Sequence, residues 1–213
     1  MEIGGFQPPV DPAASWFGDV KLSAAGEAWP LMGEKPMVPL CQVNLTNLPI
    51  PIPRLEDIAL LTVFVGPEEL PGDEPNGTNW AIRTYSSLED LVPVEKPQLP
   101  GIVRPFPMQP RVLEADYPCY EDVAFELPPG LSEDYYDICD NVLGFKLGGW
   151  PTLIQSEIWW APHNDHPASP EYVFQIDSTE KGNWMWGDSG VGYFGRGTTS
   201  TQRDEWSIQW QCY

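Results

Sequence analysis

The sequence predicts a β-rich α+β fold, a single domain over residues 1–213 built from two diverged β-rich halves. Three observations carry this. Short runs of β-branched and aromatic residues recur along the chain, whereas helical periodicity is confined to two places. The 25 prolines interrupt the chain too often for long helices. An apolar-Gly-Gly-aromatic turn occurs twice, as Ile3-Gly4-Gly5-Phe6 and as Leu147-Gly148-Gly149-Trp150.

In chain order, Leu40-Cys41-Gln42-Val43-Asn44 reads as a strand, followed by Leu60 to Val65 and Trp80 to Tyr85. Between them, Leu48-Pro49-Ile50-Pro51-Ile52-Pro53 marks an extended connection, as do the six prolines from Pro93 to Pro110. Proline cannot donate to a central ladder, so these stretches are expected at edges or between elements. Ser87 to Leu91 predicts a short turn of helix behind a serine. A longer helix is predicted over Ser132 to Leu143. Ser132 supplies the N-cap, Glu133 and Asp134 the acidic first turn, and Gly144 the stop. Its positions Tyr135, Ile138, Cys139 and Val142 follow i, i+3, i+4, i+7. Further strands are expected at Leu153 to Trp160, Val173 to Ile176 and Val191 to Phe194. In the last, Trp206 to Cys212, alternation puts Trp206, Ile208, Trp210 and Cys212 on one buried face.

The halves agree in order. Ile3-Gly4-Gly5-Phe6 is followed by Trp29, by Leu40-Cys41-Gln42-Val43-Asn44 and by Val63-Phe64. Leu147-Gly148-Gly149-Trp150 is followed by Trp160, by Val173-Phe174-Gln175-Ile176-Asp177 and by Tyr193-Phe194. On this pairing Gly5 matches Gly149 and Gln42 matches Gln175. The first half spans about 1–92, a proline-rich connection 93–110, an acidic segment 111–145 and the second half about 146–213. Paired glycines have a backbone reason in both places, a positive φ or a close approach of another segment.

These motifs resemble a known family. The order LGGWP-x-x-IQ, VFQIDS, MWGDSGVGYF resembles the C-terminal half of the YwqG-like family (domain of unknown function 1963). Ile3-Gly4-Gly5, Trp29-Pro30 and the PLCQVNL strand resemble its N-terminal half. The resemblance runs from Ile3 to about Phe194 and implies a single α+β domain of two related β-rich halves. It implies no established activity. Because the chain begins almost on the first Gly-Gly, a helical segment that precedes the motif in relatives is expected to be missing.

Composition bounds the function. Ten Trp, eight Tyr and eight Phe predict an aromatic core. The net charge of −20 repels phosphate backbones and anionic membranes, and attracts a basic partner or a cation. Two segments hold acids without a base. One carries Glu56, Asp57, Glu68, Glu69, Asp73 and Glu74. The other carries Glu114, Asp116, Glu121, Asp122, Glu126, Glu133, Asp134, Asp137 and Asp140. No secretory signal or membrane-spanning run is recognisable. Cys41, Cys119, Cys139 and Cys212 lack CxxC spacing, which predicts free thiols in a reducing compartment, by default the cytoplasm, here of the acidic bacterial type.

Several residues are candidates for chemistry. His163 and His166 flank Asp165 on a proline-bounded loop and offer metal ligands, although without the helical register of a zincin. Glu157, Asp177 and Asp188 supply carboxylates for a ligand site between the halves. Gln42 and Gln175 offer amides that either face such a ligand or bridge backbone. Trp186-Gly187-Asp188-Ser189-Gly190 reads as a tight turn, because Ser189 has no nucleophile-elbow context. Neighbouring acids are expected to suppress the reactivity of the Cys139 thiol, which is rejected as a nucleophile. No catalytic residue and no cofactor is assigned. The reading favours a non-enzymatic module that binds a basic protein, in the manner of a toxin-neutralising (immunity) protein, through Glu133, Asp134 and Asp137. The alternative is a small-molecule binder or hydrolase with a pocket between the halves.

Overall fold

The computed structural model describes residues 2–3, 10–123, 126–128, 130–131, 134–160 and 166–213. The fold is β-rich. Its first sheet contains β1 (Glu2–Ile3), β2 (Trp16–Phe17), β6 (Val38–Asn44), β7 (Leu60–Val65), β8 (Trp80–Tyr85) and β10 (Phe106–Gln109). These strands run in the order β1-β10-β2-β6-β7-β8. Two small ribbons flank it, β3 (Leu22–Ala24) with β9 (Leu91–Pro93), and β4 (Leu31–Met32) with β5 (Lys35–Pro36). The second sheet is β11 (Lys146–Leu147), β12 (Glu171–Asp177), β13 (Val191–Arg196) and β14 (Trp206–Gln211), in that order. All pairings are antiparallel. Among the described residues no helix is long and apolar enough to cross a membrane.

β6 and β7 are buried along their whole length, β7 as a nearly continuous apolar run and β6 with Gln42 and Asn44 inside. Both sheets feed one core, in which Val43, Val63 and Trp80 join Phe174, Phe194 and Trp206. Phe174 stacks on Phe194 with centroids 4.4 Å apart, and Phe17 on Phe106 at 4.9 Å. Such offset pairs add to the area they bury.

The two central strands share a register. Gln42 lies between Trp16 and Thr62, and Gln175 between Lys146 and Tyr193. Each strand is bulged just before its glutamine, at Pro39/Cys41 and at Tyr172/Phe174. Gly18 N–H donates to the Leu40 carbonyl at 2.7 Å, and Gly148 N–H to that of Val173 at 2.7 Å. Both glycines have φ of +68°. The glycine beside β6 that corresponds to Gly148 is therefore Gly18, after Phe17, and not part of the opening Ile-Gly-Gly. Ile3 instead lies in β1 and pairs with Met108 of β10, while Gly5 lies outside the described residues. Thr62, not Val63, stands where Tyr193 does.

Three expected elements differ. The helix over 132–143 contracts to α1 (Tyr135–Ile138), with Ser132 outside the described residues. Its N-cap, Asp134, makes no side-chain capping bond and no basic residue closes the last turn. Beyond it, tertiary bonds claim the chain. Asn141 donates to the Tyr117 and Pro151 carbonyls, and Val142 N–H donates to Asp116. Only Tyr135 of the apolar stripe is buried; Ile138 is exposed. Ser87 to Leu91 forms a turn into β9, with Glu89 N–H on the Ser87 hydroxyl. Leu153 to Trp160 forms no strand. Gln211 Oε1 accepts from the N–H groups of Ile154 and Gln155 at 3.0 Å each, and Gln209 Oε1 from that of Trp159 at 2.8 Å. Gln211 is consequently buried, so the polar face expected on β14 is also inside. Proline, too, enters a ladder. Pro107 lies within β10, just past the two residues that β1 pairs, where no N–H is needed.

Candidate functional site: a groove beside β11

The alternating prolines of 48–53 fix their own φ and leave few N–H groups, and the run bends at Pro49 and Ile50 and turns at Pro53 and Arg54. This run forms one wall of a groove of about 270 Å³. Residues 110–113, Asp116 and 142–149, which include β11, form the rest. Ile50, Val112 and Leu143 are exposed large apolar residues on its walls.

β11 is the edge strand of its sheet. The Gly148 N–H bond to the Val173 carbonyl makes Leu147–Phe174 a non-hydrogen-bonded pair. The N–H and C=O of Leu147 therefore point away from β12, at the free edge of the sheet. Neither has a hydrogen-bond partner among the described residues.

One carboxylate organises the floor. Asp116 Oδ1 accepts from Val142 N–H at 3.1 Å and Oδ2 from Trp150 N–H at 2.8 Å. Lys146 Nζ lies 3.1 Å from the same carboxylate, with side chains only 5% and 9% exposed for Lys146 and Asp116. Burial lowers the Lys146 pKa, and the bond to Asp116 opposes that shift. The second Gly-Gly finds its reason here. A Cβ at Gly149, whose φ is +69°, would sit 2.3 Å from Asp116 Oδ2. Lys146 and Asp116 satisfy one another and the lining Arg111 is also engaged, so the exposed surface of the groove is largely apolar.

A clamp fixes the far end of the proline wall. Arg196, buried in β13, donates to both Asp57 oxygens at 2.7 and 2.9 Å, to the Arg54 carbonyl, and through Nε to the Arg203 carbonyl at 3.0 Å. Arg54, at φ +70°, ion-pairs in turn with Glu171 of β12.

None of the five sequence-derived ligand residues lines the groove. Gln42 and Gln175 are 0% exposed and serve as backbone brackets. Gln42 binds Lys21 N–H, Leu22 N–H and the Pro12 and Ala14 carbonyls; Gln175 binds Thr152 N–H and the Gly144 carbonyl. Asp177 accepts from Gly144 N–H at 3.0 Å, behind the wall. Burial raises its pKa and the bonds from Gly144 and Ser178 oppose this. Glu157 is exposed on the loop held by Gln211. Asp188 is exposed in a turn closed by Gly190 N–H on the Trp186 carbonyl, with Ser189 at φ +55°. His163 and Asp165 lie outside the described residues, and His166 Nδ1 accepts from Ala168 N–H. No group of three or more potential metal ligands occurs among the described residues. Asp134 and Asp137 are exposed at α1, and Glu133 lies outside the described residues. The groove had a signal in the sequence, since Lys146 is the first base after the acidic segment and Leu48 to Pro53 alternates proline with apolar residues.

A family model described as a domain of unknown function (DUF1963) matches residues 15–198. No curated protein matches the chain.

Proposed function

We propose, for a chain that belongs to the DUF1963 family, a non-enzymatic role as a protein-interaction module that binds a basic partner, in the manner of a toxin-neutralising protein. The observation that carries this is the distribution of ion pairs. Lys21, Lys35, Arg54, Arg83, Lys96, Lys146, Arg196 and Arg203 are all engaged by carboxylates. Glu114, Glu126, Asp134, Asp137 and Asp140 are exposed and make no ion pair among the described residues. Five exposed acids without an ion pair in one stretch favour a cationic partner. Within the two segments that hold no base in sequence, Asp57, Glu68 and Asp116 are paired with bases from elsewhere in the chain. No disulfide joins the four cysteines, which supports action in a reducing compartment such as the cytoplasm. Capture from lysate at low salt tests the reading. A basic protein should be retained, released by salt, and retained less by Asp134→Asn/Asp137→Asn. Retention of only neutral or acidic proteins refutes it.

The alternative, a small-molecule site between the halves, is favoured by the groove alone, because the carboxylates assigned to it do not line it. The halves themselves we take as diverged copies of one unit. The shared strand order, the bulge before each glutamine, and Gly18 and Gly148 at one position support descent by duplication.

A further inference from the structure

We propose that the side-chain amide of Asn76 is a stopper on the edge of the first sheet, and that the interface it closes is one between two copies of this chain. β8 ends that sheet, with β7 on one side and no strand on the other. Asn76 lies in the connection between β7 and β8, within the exposed run 72–78. Its Oδ1 accepts from Ile82 N–H at 2.8 Å, and its Nδ2 donates to the Ile82 carbonyl at 3.2 Å. One amide thus supplies both the acceptor and the donor that a further strand would offer at that residue. Both groups of Ile82 are therefore turned away from β7, and two residues on so are those of Thr84. The outward N–H and C=O of Thr84 have no hydrogen-bond partner among the described residues.

The other ties of the loop stop short of Ile82. Gly77 N–H donates to the Trp80 carbonyl at 2.8 Å, Thr78 N–H to that of Pro75, and Trp80 Nε1 to that of Glu74. Each holds the loop to itself or to the first residue of β8, so Asn76 alone engages the outward groups of Ile82 among the described residues. An edge with free N–H and C=O groups is a template for strand addition. The occupant with a matching row is β8 of a second copy. Run antiparallel, with Ile82 opposite the Thr84 of the other copy, every outward N–H of these two residues finds a carbonyl across a two-fold axis. Arg83 then faces its own counterpart. Glu27, 3.4 Å from Arg83, already neutralises that charge, so like-charge repulsion does not forbid the register.

The test is sedimentation equilibrium of the full chain and of Asn76→Ala over a range of concentrations, with amide exchange alongside. The wild-type chain should stay a monomer, whereas Asn76→Ala should approach twice the mass as concentration rises. At low concentration the Ile82 amide of the variant should exchange faster by about tenfold or more, the equivalent of one lost hydrogen bond. Thr84→Pro deletes an outward N–H on an edge strand, a place that tolerates proline, and should return Asn76→Ala to a monomer. Asn76→Asp keeps an acceptor for Ile82 N–H and loses only the donor. It carries the same test if the near-ultraviolet circular dichroism of Asn76→Ala shows a lost fold. A folded variant that remains a monomer would overturn the proposal, whatever its Ile82 exchange. So would association that Thr84→Pro leaves unchanged, or a wild-type dimer that Thr84→Pro dissolves.

Discussion

Arg196→Met removes the clamp behind the proline wall, and its cost follows from the geometry. Methionine fills most of the arginine volume, so the loss falls on hydrogen bonds rather than packing. The side chain of Asp57 is 43% exposed and that of Asp204 is 92% exposed, so water replaces the guanidinium at both and their share is small. The Arg54 and Arg203 carbonyls lose a charged donor in a part-buried setting. At roughly 1–2 kcal/mol each, the expected loss is about 2–4 kcal/mol at neutral pH. The pH dependence supplies a second readout. The hydrogen bond from Arg196 holds the Asp57 carboxyl below its ordinary value of 3.8, with burial opposing. A depressed carboxyl contributes stability that is present above the unfolded value and is lost as pH falls through the folded one. The variant lacks that contribution, so the gap between the two proteins should narrow once the pH drops below about 4. Urea unfolding followed by tryptophan fluorescence at about pH 7 and about pH 3 measures both quantities. A loss under about 0.5 kcal/mol, or a gap that does not shrink on acidification, would refute the reasoning.

Gly149→Ala should cost at least ~2 kcal/mol in a thermal melt, because a Cβ meets Asp116 and φ is positive, whereas Gly26→Ala, also at positive φ but in open space, should cost about 1. Equal costs would show that Asp116 moves aside freely. Gln42→Ala and Gln175→Ala should each destabilise by roughly 2–4 kcal/mol, since each strips buried backbone groups of partners, and calorimetry showing either near wild type would remove the bracket role.

Two strands were legible from sequence to their bounds: Leu60–Val65, buried on both faces, and Trp80–Tyr85, an edge strand whose first half is buried. Burial and β propensity agree there. Where side chains of distant elements take over backbone bonding, local pattern misleads. Leu153 to Trp160 alternates like a strand, yet Gln209 and Gln211 supply the partners a neighbouring strand would have. The helix after Ser132 has the right periodicity, but Asp116 and Asn141 divert its second half. The Gly-Gly pairing was half legible: Gly149 has a steric reason, while the counterpart of Gly148 is Gly18, which carries no Gly-Gly signature. Of the groove only Lys146 and the proline wall left a trace in the sequence, because its walls come from separated segments and local motifs do not report how these meet.

The most direct test of the central claim is the association rate of the captured partner as a function of ionic strength, measured by stopped flow on the wild-type chain and on Asp134→Asn/Asp137→Asn. Exposed charges act mainly by steering encounter, so the wild-type rate should fall by about tenfold or more as salt rises from roughly 20 to 200 mM. The variant should associate more slowly at low salt and converge on the wild type at high salt, with an unchanged melt. A rate indifferent to both salt and the substitutions would contradict the account, and would leave the acidic stretch between Glu114 and Asp140 without a part in recognition.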